Sequence, residues 1–191
     1  MLYDSGMPDW FKTKKAAQVA AFFAAKGGGE IPVLKLVKLV YLADRESMRL
    51  TCYPITNDKF VSMPHGPANS MTLNYIDGNL QSGEWSALLQ DRAGHMMGLA
   101  RPRSEDDISE LSQQDIEVLE SVWGQFGAMS RYQLRDWTHD NCKEWEDPKG
   151  SSHPIPPARI LKFLGVDGAD EIGAEIAGER RIESLFESLR G

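Results

Sequence analysis

Between Pro32 and Pro54 the chain carries neither glycine nor proline, and that stretch, VLKLVKLVYLADRESMRLTCY, leaves room for little but a long helix. Proline suits the first turn of a helix, where its missing N–H is no loss, and breaks a helix interior, so a helix from Pro32 to about Leu50 is expected. At about 100° per residue, Val33, Leu34, Leu36, Val37, Val40, Tyr41, Ala43 and Met48 share one broad face that must be buried. Lys35, Lys38, Arg45 and Arg49 fall together on the opposite side, with Leu42 among them and Glu46 at the margin. This basic stripe reads as the solvated side of an amphipathic helix; the alternative is a face that contacts a partner. Asp44 breaks the pattern, lying near the middle of the apolar face. An unpaired carboxylate there would cost several kcal/mol or take up a proton, so a nearby donor is expected to hydrogen-bond it. No second acid or nucleophile stands at a spacing that would make it catalytic.

After Leu50 the chain changes character. Tyr53-Pro54 forces extension, Asn57-Asp58 favours a turn, and Lys59 to Met63 alternates like a short strand that Pro64 ends. In His65-Gly66-Pro67 the glycine can take a positive φ, and Pro67 lets a helix begin from Ala68. The result is a rigid corner, in which His65 is read as a residue held by its neighbours rather than as a ligand or a base.

These residues carry a resemblance. KLVKLVYLAD, then YPIT, then KFVSMPHGP is similar to the Panacea domain, an antitoxin family that includes the SocA-like and GepA-like phage-associated proteins. The resemblance spans about Lys14 to Leu164, and Leu134 to His139 (LRDWTH) resembles the family's later Leu-Thr-His signature. Ala68 stands where a valine often follows the Gly-Pro, and Trp137 enlarges the side chain ahead of Thr138-His139. The resemblance implies a protein that neutralises a cognate protein toxin, usually encoded next door, by direct binding. The family variant to weigh against this is an adaptor that delivers the toxin to a protease, and the rival from another class is a DNA-binding regulator of its own operon. Tyr41, Asp44, Tyr53, Pro54, Phe60, Pro64, His65, Gly66, Pro67, Thr138 and His139 are the motif positions it assigns to structure.

At 191 residues, with 41% hydrophobic and 26% charged side chains, the chain fits one ordinary globular domain. Its formal charge of -7 argues against nucleic-acid binding by the whole surface and leaves room for a local basic patch. The two cysteines, Cys52 and Cys142, are read as reduced thiols, and a zinc site built from them with His65 and His139 lacks the usual paired local ligands. No cofactor motif, nucleophile elbow, His-Glu-x-x-His or dinucleotide fingerprint occurs, so no enzyme activity and no cofactor are expected. Neither a signal pattern nor a membrane-length apolar run appears, which places the expected protein in the cytoplasm and off the membrane.

The remaining segments give a mainly helical α+β reading with a small antiparallel hairpin or sheet. Residues 1–12 form a lead with Pro8 and the pair Trp10-Phe11, which is expected to pack on the core. A main domain runs over 13–166 and a helical extension over 167–191. Thr13 is expected to cap a helix to about Lys26 that Gly27-Gly28-Gly29 ends. Trp85 to Gln90 and His95 to Ala100 read as two strands of a hairpin that can pair with Lys59 to Met63. Ser112 with Asp115, and Ser130 with Gln133, mark two helix starts. The second opens with Arg131, Gln133 and Arg135, the layout of a recognition helix, but Asp136, Asp140, Glu144 and Glu146 oppose a phosphate backbone. Residues 147–157 read as a loop before a short helix over Ala158 to Leu164. The extension, Ala169 to Leu189, places Ile172, Ile176, Leu185, Phe186 and Leu189 at helical spacing, a stripe suited to a toxin groove, to self-association as a homo-oligomer, or to its own domain.

Overall fold

The computed structural model describes residues 10–190, so Pro8 lies outside the described residues, as does the side chain of Phe186. The order is α1 (Thr13–Lys26), β1 (Glu30–Pro32), α2 (Val33–Thr51), β2 (Phe60–Met63), β3 (Gly66–Asn69), α3 (Ser70–Ile76), α4 (Gly83–Ser86), β4 (Met96–Gly98), α5 (Gln113–Phe126), α6 (Arg131–Asn141), β5 (His153–Ile155), α7 (Pro157–Phe163) and α8 (Ala169–Arg190). The fold is α+β and mainly helical, with two small antiparallel sheets, β1-β4 and β3-β2-β5.

The central helix α2 begins directly after Pro32 and ends where Cys52 turns left-handed at φ 68°. It packs against α1, α5 and α6, which is why Leu36, Leu39, Val40, Tyr41 and Ala43 are all fully buried. The two Ser-opened helices start as the sequence predicts, each with a reciprocal capping box: Ser112 with Asp115, and Ser130 with Gln133. The glycine triplet closes α1, Gly28 and Gly29 taking φ of 91° and 105°. Trp10 and Phe11 pack into the core as expected. Thr13, however, is buried in the first turn of α1, and the residue before it, Lys12, makes no side-chain cap.

Several sheet expectations are corrected. No helix begins at Ala68, because Pro64-His65 is a two-residue turn and Gly66–Asn69 runs back along Phe60–Met63 as a strand. The helix waits until Ser70 because Asp58 caps it from a distance, its carboxylate accepting from Met71 N at 2.9 Å and from Thr72 N at 2.8 Å. Trp85 lies in a helical turn instead of a strand, since Ser82 accepts from Trp85 N, and its ring stacks on Tyr75 at 4.9 Å. The strand within His95 to Ala100 pairs with Glu30–Pro32 and not with residues 59–63. The second neighbour of β2 is β5, inside the segment expected to be a loop; three residues with a proline in the middle are too few to show a period.

The start of α8 is not an arm. A Cβ at Gly173 would come within 2.5 Å of Ala158, so α7 and α8 touch backbone to backbone there. Ile176 is buried, and Arg180 reaches the loop after α2, donating to Asp58 O at 2.8 Å and Asn57 Oδ1 at 3.1 Å.

Candidate partner-binding site

One face of α2 holds a row of polar side chains that fasten three distant segments. Asp44 is fully buried and accepts from Thr56 N at 2.9 Å, from the Thr56 hydroxyl, and from Asn69 Nδ2 at 2.6 Å, as its position on the apolar face requires. Burial raises its pKa to about 6 against the pull of those hydrogen bonds, and burial likewise raises Asp58. Tyr41 donates to Glu144 Oε1 at 2.6 Å, and Arg45 Nε meets the same oxygen at 2.6 Å. Glu144 is fully buried, so it belongs to this clamp and not to a surface that would repel DNA.

The basic stripe is thereby corrected. Lys38 is 1% exposed, its Nζ donates to Pro67 O at 2.6 Å, and burial lowers its pKa to about 7. Pro67 lies on β3, the edge strand of its sheet, so its carbonyl has no further strand to pair with and draws this lysine inward. Lys35 caps the end of α5, donating to Gly127 O at 2.6 Å beside the Trp123 ring. Leu42 is buried, and Arg49 is the stripe residue left on the outside, paired with Glu46 at 2.7 Å.

The Pro-His-Gly-Pro turn and the Thr138-His139 pair, far apart in sequence, meet here. Gly66 has φ 95°, and a Cβ on it would lie 3.0 Å from both Thr138 Oγ1 and His139 Cδ2. Only glycine satisfies both the left-handed backbone and that approach. Thr138 is buried and donates to Arg135 O at 2.7 Å, while His139 stacks flat on Trp145 at 4.3 Å. Trp145 in turn donates to Met63 O at 3.0 Å, so the hairpin is held from below by the end of α6. Burial lowers the pKa of His139, with Lys38 and Arg135 acting in the same direction. Phe60 packs edge-on against Tyr41 at 5.9 Å. Pro54 is half-buried and Tyr53 exposed, the latter near Glu175 and Glu179 of α8. Pro64 and His65 stand exposed at the tip, with the His65 backbone lying against the His139 ring.

Beside this tip opens a cleft of about 400 Å³. Its floor is apolar: Val33, Leu34 and Val37 from α2, Ala68 from β3 and Leu73 from α3. Its rim carries Arg92, His95, Arg131, Tyr132, Arg135 and His65, with Asp77 paired to Arg92. Tyr132 is 51% exposed and is flanked by the guanidinium groups of Arg131 at 4.8 Å and Arg135 at 5.3 Å. Reading the sequence alone singled out Arg131 and Arg135 but joined neither to the hairpin. Arg92, Tyr132 and Asp77 were missed, since surface side chains on separate elements leave no periodic trace. Of the stripe on α8, Ile172 is half-buried and Ile176 buried, while Leu185 and Leu189 are exposed.

Among the described residues no cluster of His, Cys, Asp and Glu has the makings of a metal site, and burial pushes the Cys142 thiol up to about 12. No helix among them is long and apolar enough to cross a membrane.

A family model described as antitoxin SocA-like, Panacea domain, matches residues 36–146. The chain belongs to that family. The matched span runs from α2 to Trp145 and Glu146, so the Panacea domain contains the α2 clamp, the hairpin, α6 and nearly all of the cleft. Membership supports an antitoxin role. Comparison with curated proteins and with solved structures gives no match.

Proposed function

We propose that this protein is an antitoxin that neutralises a cognate protein toxin by binding it directly. The observation that carries the reading is the family match, which covers the hydrogen-bonded unit of α2, the hairpin and α6. That unit is suited to binding. Its polar side chains are consumed internally, so the hairpin tip and the rim of the cleft are presented on a rigid base and lose little entropy on association. Tyrosine and arginine around an apolar floor are the residue types that dominate binding energy at protein interfaces. Leu185 and Leu189 on the outer end of α8 supply a second contact.

The test is growth. Cells carrying the toxin gene adjacent to this one should stop growing on induction, and co-expression of this protein should restore them. If rescue requires a protease and toxin levels fall, the protein is an adaptor. No toxicity from either neighbouring gene would remove the antitoxin assignment.

A further inference from the structure

From the cleft beside the Pro-His-Gly-Pro tip we infer that the Panacea domain of this chain takes an acidic segment of its partner protein, anchored by a large apolar side chain. The inference rests on the direct-binding reading only in making the toxin the donor of that segment. The floor sets the anchor. Val33, Leu34, Val37, Ala68 and Leu73 offer hydrocarbon, and about 400 Å³ is room for a leucine, phenylalanine or tryptophan with its flanking backbone. The rim sets the charge. Arg92, Arg131 and Arg135 stand against Asp77, the carboxylate among the lining residues, paired with Arg92, and Asp136 just outside, paired with Arg135, so arginine outnumbers carboxylate there. This basic rim sits on a chain whose formal charge is -7, so its sign is opposite to that of the whole. A segment bearing carboxylates on either side of its anchor would be steered to the cleft and turned away by the remaining surface.

The site is also held in shape. Arg131 donates to Tyr132 Oη at 3.0 Å, and with Arg135 it brackets the tyrosine ring. Arg135 Nη2 is fixed by Asp136 at 2.7 Å, and its backbone carbonyl by Thr138, whose side chain abuts Gly66. Arg131 and Arg135 are therefore held by α6 against the hairpin. A nucleic acid is the less suitable occupant, because a phosphate backbone gains nothing from the apolar floor.

The experiment uses the full-length purified protein and a phage-displayed library of random dodecapeptides. Enriched peptides should carry net negative charge around a leucine, phenylalanine or tryptophan. They should lose at least about tenfold in affinity for the Arg131→Glu/Arg135→Glu double variant and for Leu34→Gln, both melting like the parent. Fluorescein-labelled dodecathymidylate should bind at least about tenfold more weakly than the best peptide. Absence of enrichment, enrichment of neutral or basic peptides, or equal binding to the charge-reversed variant would overturn the inference, as would oligonucleotide binding that matches the peptides. Growth rescue without acidic-peptide selection would retain the antitoxin reading and remove this one. Selection without rescue would do the reverse.

Discussion

Replacing Asp44 with alanine strips an acceptor from Thr56 N–H, the Thr56 hydroxyl and Asn69 Nδ2, all buried. Thr56 N–H is then orphaned at about 1–3 kcal/mol, while Asn69 Nδ2 keeps its bond to Thr56 Oγ1 at 3.3 Å. Against this stands the removal of a buried carboxylate whose pKa is raised from 3.8 to about 6, a penalty of roughly 3 kcal/mol once it is ionised. A raised folded pKa means that the native state holds the proton more tightly than the unfolded chain. The stabilisation from Asp44 is therefore fully present below 3.8 and is lost as pH rises through about 6. The alanine variant lacks that term. Its deficit should be about 1 kcal/mol or less near neutral pH and should grow by about 1 kcal/mol when the pH falls to roughly 5. Asp44→Asn, with Asn69 flipped to accept from the new amide, should cost less at neutral pH and, lacking the same titration, should fall behind the parent by the same increment in acid. Urea unfolding followed by tryptophan fluorescence at the two pH values measures this directly. An alanine deficit that is equal at both, or smaller in acid, would refute the assignment of a penalised buried carboxylate.

Three further outcomes follow from local geometry. Gly66→Ala should lose about 2–4 kcal/mol in urea unfolding, from its positive φ together with the 3.0 Å approach to Thr138 and His139; parent-like stability would mean that the hairpin swings free of α6. Cys52→Gly should gain about 0.5–1 kcal/mol by relieving the left-handed cap of α2 at φ 68°, read as a higher Tm, and a loss would contradict the strain. Arg180→Ala should cost about 2 kcal/mol by removing the donors to Asp58 O and Asn57 Oδ1, and deletion of residues 168–191 should destabilise the core further; a truncated protein that melts like the parent would make α8 a true appendage.

The long helix, its buried Asp44, the positive φ of Gly66 and the two serine capping boxes were legible because each rests on chemistry within a few residues. The family's motif residues were legible as a pattern, though not as a reason. That Gly66 must face Thr138 and His139, or that Glu144 must meet Tyr41 and Arg45, depends on contacts between segments roughly 70 to 100 residues apart, for which local periodicity carries no signal. Lys38 shows the limit most plainly. Helical geometry puts it on the polar face, and only the proline-bearing strand of another element, with a carbonyl to satisfy, makes that side of α2 an interior. The three-residue strand His153–Ile155 escaped for a related reason, since its partner β2 defines it more than its own residues do.

Direct neutralisation is tested most simply by mixing purified full-length protein with the purified product of the adjacent toxin gene, protease absent, and resolving the mixture by size-exclusion chromatography. A co-eluting complex of fixed stoichiometry, weakened by Arg131→Glu/Arg135→Glu, is the predicted result. Toxin that elutes unchanged at micromolar concentrations of both proteins would contradict it.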